Sequence, residues 1–256
     1  MVKGLYTAST GMINEQRRVD ILSNNLANAS TTGYKKEGST SEAFKDVLAV
    51  KIKDSSEAYI PRRLGTMNMG VKIGETYTDY SQGSFHETGN DFDLAISGDG
   101  FFAVEFTNKA GETSTMYTRD GNFITNVNGE VVNKNGDYLL DTGGNHITVD
   151  PTQPIEIDRN GTIRQNNVAV ATIGVTDFED YDYLEKYGEN YYTALEGATE
   201  QASTAQVYSG YLESSNVQVV QEMVDLINFQ RAYETNQKMI QSFDETLSTA
   251  TDLGRL

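Results

Sequence analysis

The stretch VQVVQEMVDLINFQRAYETNQKMIQSFDETLSTATD, residues 217–252, predicts one long helix near the C-terminal end of the chain. It contains no glycine or proline, and apolar side chains recur every seven residues. This spacing places a narrow apolar stripe on one side of a helix roughly 50 Å long, at ~1.5 Å per residue. Ser215 and Gln218 have the spacing of a capping box, which predicts where the helix begins. The stripe consists of Val219, Leu226, Tyr233, Ile240 and Leu247, interleaved with Phe229, Phe243 and Ala250.

The N-terminal end of the chain carries the same pattern. Its repeat predicts a helix from about residue 3 to residue 32, closed by Gly33, because glycine adopts the left-handed conformation at helix ends. A narrow apolar stripe needs a partner, either the other end of the chain or another copy. An interface between subunits is favoured, and ordinary packing inside one chain is the alternative. The repeat consists of Leu5, Met12, Val19 and Leu26, interleaved with Ala8, Leu22 and Ala29.

The middle of the chain has a different pattern, made of short alternating apolar runs between turn residues. Phe92–Ile96 and Phe101–Phe106 are typical of strands. Closely spaced Asn-Gly and Asp-Gly pairs favour tight hairpins and therefore predict an antiparallel meander. Residues 37–80 have weak periodicity and indicate an extended connector, with a short helix around Ser41–Ile52. The turn pairs are Asp120-Gly121, Asn128-Gly129, Asn135-Gly136 and Asn160-Gly161.

The predicted fold class is α+β. Long N- and C-terminal helices are expected to pair as a coiled-coil-like bundle, with a central antiparallel β-rich domain between them in sequence. The predicted division is an N-terminal assembly helix (1–33), an extended connector (34–80), a β-rich domain (81–210) and a C-terminal assembly helix (211–256).

Composition narrows the range of partners. The 256 residues include 20 Lys and Arg against 37 Asp and Glu, a net charge of −17. This balance argues against binding to nucleic acid and to anionic membrane surfaces, which both need clustered basic side chains. The chain has no cysteine, so disulfides and thiolate chemistry are excluded. We expect neither a cleaved signal peptide nor membrane insertion, because no apolar run has the required length.

The residues that carry chemistry elsewhere do not form a recognisable site here. The glycines of Gly98-Asp-Gly100 precede a strand-like run, so a tight turn is expected rather than a dinucleotide site. His86 and His146 lack a metal-ligand spacing. Acidic residues that lie close together in sequence, such as Asp91 and Asp93, are expected to lie in solvated loops. The sequence therefore predicts a protein that is not an enzyme and has no cofactor or metal.

Three blocks of sequence resemble the bacterial flagellar axial family of rod, hook and hook-associated proteins. The N-terminal block is Leu22-Ser-Asn-Asn-Leu-Ala-Asn-Ala-Ser-Thr-Thr-Gly-Tyr-Lys35. The C-terminal block is Ser215-Asn-Val-Gln-Val-Val-Gln-Glu-Met-Val224, followed by Phe229-Gln-Arg-Ala-Tyr-Glu-Thr-Asn236. The middle block comprises Ser81-Gln-Gly83, Asp93-Leu-Ala-Ile-Ser-Gly-Asp-Gly-Phe-Phe102 and Tyr117-Thr-Arg-Asp-Gly-Asn-Phe123. Length and block order are similar to rod proteins of the FlgG and FlgF type.

This resemblance implies a structural subunit of the flagellar basal-body rod, which self-assembles into a helical tube and transmits motor torque to the hook. The distal rod is favoured, and a proximal-rod or hook-type subunit is the alternative. Implied partners are further copies, other axial proteins and the flagellar type III export apparatus. The expected assembly residues are Leu5, Met12, Val19, Leu22, Asn24, Asn25, Leu26, Asn28 and Gly33, with Val219, Leu226, Phe229, Gln230, Arg231, Tyr233, Glu234, Ile240, Phe243 and Leu247.

Two other classes of function stay open at this point. One is an extracellular β-domain that binds a glycan or calcium, with the terminal helices paired into a stalk. Ligand-dependent stabilisation of the middle region would favour that class. The other is a carboxylate-dependent hydrolase, for which activity lost on removal of one acidic pair would be needed.

Overall fold

The computed structural model describes residues 2–51, 62–108 and 111–254. The chain divides into two compact units. The first, here called the helical unit, comprises Met1–Ala27, Glu37–Asp79 and Gln218–Leu256. The second, here called the body, comprises Asn28–Lys36 and Tyr80–Val217.

Both terminal helices exist, with bounds that differ from the predicted ones. Helix α1 is Val2–Ala27 and helix α2 is Val219–Leu253. Gly33 has the predicted left-handed conformation (φ +67°), but it lies beyond the end of α1 in the turn that follows. Within the described ranges, neither helix is both long enough and apolar enough to span a membrane.

The predicted capping box of α2 is wrong. Gln218 is the N-cap residue, and its side chain makes no capping hydrogen bond. The Ser215 hydroxyl instead accepts a hydrogen bond from the Val217 amide at 3.2 Å. Asn216 is engaged elsewhere, because its Oδ1 accepts the Lys36 amide at 2.8 Å. The residues before Val219 are therefore held in a non-helical conformation.

The two helices run antiparallel and contact each other inside the helical unit. A Cβ built on Gly4 would lie 2.8 Å from the Phe243 ring, near the start of α1 and towards the end of α2. At the opposite end of the pair, Asn25 Nδ2 donates to Glu222 Oε2 at 3.3 Å. Pairing of the helices is thus observed, and the supercoiling of a coiled coil stays a prediction.

The predicted connector contains strands rather than an extended, unpaired chain, and no helix lies in its described part. β1 pairs with β4, and β2 pairs with β3, both antiparallel. Pairing over a long sequence separation decides this structure, which explains why local periodicity missed it. Residues 52–61, also assigned to the connector, lie outside the described residues. The strands are β1 (Glu37–Ala43), β2 (Val47–Lys51), β3 (Arg62–Met67) and β4 (Val71–Thr78).

Strand β1 lies along α1, and two buried asparagines fix its position. Asn14 Nδ2 donates to the Ser41 hydroxyl at 3.2 Å. Asn25 binds the Glu37 backbone twice, accepting from its amide at 3.0 Å and donating to its carbonyl at 2.8 Å. The strand therefore returns antiparallel to the helix, held by side-chain amides that imitate a neighbouring strand.

The body contains the predicted antiparallel meander. Its largest sheet has nine strands in the order β16-β17-β8-β7-β11-β10-β9, with β15 paired to β7 and β18 paired to β15. Three strands, β12-β13-β14, form a second sheet, and the pairs β6–β19 and β5–β20 complete the body. The strands are β5 (Phe85–Glu87), β6 (Leu94–Ser97), β7 (Phe101–Thr107), β8 (Thr113–Thr118), β9 (Phe123–Thr125), β10 (Val131–Asn133), β11 (Tyr138–Leu139), β12 (Ile155–Ile157), β13 (Thr162–Gln165), β14 (Val168–Thr172), β15 (Val175–Phe178), β16 (Leu184–Tyr187), β17 (Tyr191–Ala194), β18 (Glu200–Ala202), β19 (Gln206–Ser209) and β20 (Tyr211–Glu213).

Strand β7 is the centre of the core. Successive side chains of a strand point to opposite faces. Phe102 and Val104 therefore join the larger apolar cluster, with Ile96 among its members, while Phe101 and Ala103 join a second cluster on the other face. Burial on both faces explains the nearly continuous apolar run in this part of the sequence. The turn before it has positive φ at Gly98 (+109°) and Gly100 (+136°), which confirms the predicted tight turn.

The body extends beyond the predicted β-rich domain at both ends. Tyr211–Glu213 form β20 and pair with β5, so the C-terminal helix does not begin at residue 211. The segment Asn28–Lys36, predicted to belong mainly to the N-terminal helix, is part of the body. Both corrections have one cause, because these segments contact each other within the body.

Candidate assembly site

Helix α1 places most of the predicted assembly residues against the rest of the helical unit. Leu22 and Asn25 are buried, and Leu5, Met12, Val19 and Leu26 are half-buried. Asn28 is also buried, but it follows α1 and belongs to the body. Asn24 is exposed, and Gly33 is buried in the turn beyond the helix.

Helix α2 divides its predicted residues between two surfaces. One set is half-buried and lies on the side of the helix that includes the buried Glu222. That set comprises Leu226, Phe229, Tyr233, Ile240, Phe243 and Leu247. The other set, Val219, Gln230, Arg231 and Glu234, is exposed. The structure therefore brings most of the predicted apolar stripe together, but it leaves Val219, Ala250 and the polar residues of the C-terminal block exposed.

Small and polar side chains separate the apolar layers of the helix pair. A Cβ built on Gly11 would lie 3.1 Å from Asn236 Nδ2, and a Cβ built on Gly4 would lie 2.8 Å from the Phe243 ring. The Arg18 guanidinium lies 3.8 Å from the centroid of the Phe229 ring, a cation–π contact. The helices therefore approach closely at glycines and use aromatic and polar contacts between them.

The body holds a buried ionic cluster, here called the clasp, formed by Lys35, Arg119 and Glu213. Lys35 Nζ lies 2.7 Å from Glu213 Oε1, and Arg119 Nη1 lies 3.3 Å from Glu213 Oε2. Glu213 Oε1 also accepts the Gly83 amide at 2.9 Å. Glu213 and Lys35 are each 1% exposed and Arg119 is 3% exposed. The cluster therefore ties residues distant in sequence into one buried arrangement.

The turn after α1 fits closely against the Arg119 segment. A Cβ on Gly33 would lie 2.4 Å from the backbone of Arg119 and Asp120, so only glycine fits there. The Thr32 hydroxyl donates to Asp120 Oδ1 at 2.6 Å, and Asn190 Nδ2 donates to the Thr32 carbonyl at 3.0 Å. The backbone approach thus explains the glycine at the end of the N-terminal block.

The three blocks quoted from the sequence meet at the clasp. Lys35 ends the N-terminal block, while Gly83 and Arg119 belong to parts of the middle block. Lys35 Nζ also donates to the Ser81 carbonyl at 2.9 Å, and Asn216 of the C-terminal block donates to the same carbonyl at 3.2 Å. The blocks are therefore parts of one structural junction.

Comparison with known proteins gives matches to all three blocks. Residues 5–35 match the family model "Flagella basal body rod protein", residues 95–165 match "Flagellar hook protein FlgE/F/G D1 domain", and residues 208–253 match "Flagellar basal body rod FlgEFG protein C-terminal". The chain is 36% identical to the flagellar basal-body rod protein FlgF of Caulobacter vibrioides over all of both chains. It is 33% identical to the rod protein FlgG of Bacillus subtilis, again over all of both chains. The chain belongs to the flagellar basal-body rod proteins.

The rod protein has an exposed apolar surface that the sequence analysis missed. Val220 is 77% exposed, and Met223, Val224 and Ile227 are about half exposed. Their spacing of three, four and seven residues is itself a helical stripe, on a different side of α2 from the half-buried set. This signal was present in the sequence, but the longer repeat beginning at Val219 obscured it.

The clasp also escaped the sequence analysis. Lys35 and Arg119 stood in the quoted blocks without an assigned role, and Glu213 lies just before the C-terminal block. The only available signal was the presence of basic residues in blocks of an otherwise acidic chain. Because the clasp is buried and its charges are paired inside the protein, it holds the rod protein's body together rather than meeting a ligand.

Other polar residues of the rod protein have structural contacts. The His146 ring stacks on Tyr138 at 4.3 Å, and its Nε2 lies 3.3 Å from Glu105 Oε2. The expectation that Asp93 is solvated is wrong, because Asp93 is buried and accepts a hydrogen bond from Asn122 Nδ2 at 3.2 Å. Within the described parts of the chain, no group of three or more His, Asp or Glu side chains is placed to hold a metal ion.

Burial raises the pKa of Tyr117, Tyr181 and Tyr191 in the body. Burial, together with a hydrogen bond to the Asp137 carboxylate, raises the pKa of Tyr191 to about 12. Asn133 and Asn135 both donate to the same phenol oxygen, at 2.7 and 2.8 Å. The neutral phenol is thus built into the polar network at this side of the sheet.

Proposed function

We propose that this rod subunit assembles head-to-tail into a helical tube through its terminal helices, and that the tube transmits motor torque to the hook. The observation that carries this proposal is the exposed apolar stripe Val220, Met223, Val224 and Ile227 on α2, of which the first three residues lie in the C-terminal block. On α1, Tyr6 and Ile13 are exposed as well. Partners of matching apolar character are other copies and other axial proteins.

The energetic argument is the burial of this surface between copies. Apolar area removed from water stabilises a contact by about 25 cal/mol per Å². A head-to-tail contact does not close on itself, so it repeats along a lattice and forms a tube. Packing of α1 and α2 as a coiled coil, with neighbouring pairs around them, is the finer form of this proposal.

The proposal includes the route by which the subunit reaches the rod. Rod and hook subunits resemble each other in the blocks quoted above, and this resemblance supports export through the flagellar type III apparatus without a cleaved signal peptide. The prediction is checked by recovering the exported subunit and sequencing its N-terminus, which is expected to be uncleaved.

The assembly surface is tested by placing a charge in the stripe. Val224→Asp is expected to block incorporation into basal bodies, because a carboxylate would be buried without a partner. The matched control is Val127→Asp, in a fully exposed turn of the body, which is expected to assemble normally. Electron microscopy of isolated basal bodies and motility in soft agar give the readout. Normal rods formed by Val224→Asp would contradict the proposed surface.

Within the rod, we favour a distal position, as the length and order of the blocks suggest. The proximal rod is the second candidate, since relatives named FlgF and relatives named FlgG are both about one-third identical to the chain. A subunit-resolved map of the basal body distinguishes the positions. Density for this chain next to the hook is expected, and density confined to the base of the rod would favour the proximal one.

A further inference from the structure

The apolar repeat leaves one property of the helix pair undetermined, namely its register. Both helices repeat every seven residues, so sliding one helix along the other by seven positions places apolar residues opposite apolar residues again. A polar or steric feature has to select one register among these alternatives.

The contacts between the helices have a constant spacing. Gly4 faces Phe243, Gly11 faces Asn236, Arg18 faces Phe229, and Asn25 faces Glu222. Each step moves seven residues forward on α1 and seven residues back on α2. The four contacts therefore belong to one register and are equivalent in position, although they differ in chemistry.

Asn25 is the fixed point of this series. Its amide is held by both backbone groups of Glu37, so it cannot follow α2 if that helix slides. Its Nδ2 also donates to the Glu222 carboxylate, at 3.3 Å. Asn25 and Glu222 are both 0% exposed, so separating them would leave a buried amide and a buried charge without each other.

Neither alternative register preserves this contact. A slip in one direction brings Phe229 opposite Asn25 and moves Glu222 beyond Ala27, the last residue of α1. A slip in the other direction brings Glu222 opposite Arg18, an acceptable ion pair, but leaves Asn25 opposite residues that precede Val219 and are not helical. The glycine contacts tolerate these slips better, because glycine accepts any facing side chain.

We propose that Asn25 and Glu222 determine the register in which the two terminal helices pair. The pair selects one alignment among several that the apolar repeat permits. Its consequence for assembly rests on the proposed function, since every copy must present the stripe from Val220 to Ile227 in the same place. The pairing itself is a property of the single chain, and it can be tested without a polymer.

The test uses the absence of cysteine from the chain. Asn236→Cys is combined in the purified full-length protein with Gly11→Cys, Gly4→Cys or Arg18→Cys. The first combination reports the observed register, and the other two report the slipped ones. Disulfide formation in a glutathione redox buffer is measured on a non-reducing gel, where a closed chain migrates faster. We expect at least a tenfold preference for the first combination.

Two substitutions then remove the contact between Asn25 and Glu222. Glu222→Leu replaces the carboxylate by an apolar side chain, and Asn25→Asp places two carboxylates next to each other. Each is expected to reduce the preference for the first cysteine combination at least threefold. Glu234→Leu, which adds the same side chain at an exposed position of α2, is the matched control and should leave the preference unchanged. Circular dichroism confirms that the helices persist.

Two results would overturn the proposal. One is equal cross-linking of all three combinations in the protein with unchanged Asn25 and Glu222. The other is a tenfold preference that survives both Glu222→Leu and Asn25→Asp. Failure of Val224→Asp to block assembly would count against the proposed function alone, because cross-linking within one chain does not depend on a polymer.

Discussion

The helical unit and the body bury their apolar residues in different ways. In the body, the apolar side chains lie in two clusters on either side of β7, and the clasp closes the arrangement with buried charges. In the helical unit, two helices cover only one side of each other, and Val220 and its neighbours stay in contact with solvent. The body thus buries its apolar clusters within one chain. The helical unit leaves apolar side chains exposed, as one side of a protein–protein interface does before its partner binds.

The charges follow the same division. The body contains 22 acidic and 8 basic residues, and the helical unit contains 15 acidic and 12 basic residues. Like-charged surfaces repel each other at distances up to about 10 Å at 0.1 M salt. Bodies of neighbouring copies therefore resist close contact, whereas the nearly balanced helical units do not. Association is expected where the charge is low and apolar residues are exposed.

The largest expected effect comes from removing α1. Deletion of residues 1–27 should abolish rod assembly and leave the body folded, because the body begins at Asn28 and keeps Lys35. Deletion of residues 1–36 should also destabilise the body, since it removes one cation of the clasp. Thermal unfolding, followed by near-ultraviolet circular dichroism, compares the stability of the body in the two deletion variants. An unfolded body after the shorter deletion would contradict the independence of the two units.

The next effect concerns the clasp itself. Glu213→Ala removes the carboxylate that pairs with the buried Lys35 and Arg119, and breaking a buried pair in this way costs about 3–5 kcal/mol. Glu213→Gln should cost less, because its carbonyl still accepts hydrogen bonds. Urea unfolding measured by tyrosine fluorescence gives the free energies. Glu196→Ala, at an exposed position of the body, is the control and should change little.

A smaller effect on folding free energy is expected when isoleucine is replaced by valine, and the same substitution can be made in each unit. Ile96→Val in the core of the body should cost about 0.5–1.5 kcal/mol of folding free energy, because it leaves a cavity. Ile227→Val on the exposed side of α2 should stay within about 0.5 kcal/mol in the free subunit. Equal losses at both positions, measured by the same urea titration, would mean that the outer stripe is already covered within one chain.

The smallest effect is a pH dependence of the body. The pKa of Tyr191 is raised, so the neutral phenol stabilises the fold below pH 10, and this contribution is lost as the pH rises from 10 to 12. Tyr191→Phe should lower stability at neutral pH and flatten the decline in that window. A melting series between pH 8 and pH 12 measures both, and parallel declines of the two proteins would contradict the assignment.

The terminal helices and the meander were predictable, because periodicity and turn chemistry are local signals. The repeat from Leu5 to Leu26 and the Asn-Gly pairs depend only on neighbouring residues. Strand β1 was not predictable, since its sequence EGSTSEA has no apolar alternation. Its conformation comes from pairing with β4 and from the side chains of Asn14 and Asn25, all of which lie elsewhere in the chain.

The candidate site was predictable in part for the same reason. The half-buried stripe of α2 follows from spacing, whereas the role of Glu213 depends on Lys35 and Arg119, 178 and 94 residues away. The sequence around a glutamate does not indicate which distant basic residues it will pair with. Exposed and half-buried stripes are also similar in composition, and only tertiary packing separates them.

The position of Glu213 in the sequence has a consequence for the timing of folding. The clasp collects residues from early, middle and late parts of the chain, and its carboxylate is supplied just before α2 begins. For a chain threaded N-terminus first, Lys35 and Arg119 emerge long before their counterion. The paired arrangement around Glu213 is therefore completed only when residue 213 has arrived. By then only the segment that leads into α2, and α2 itself, are still to follow.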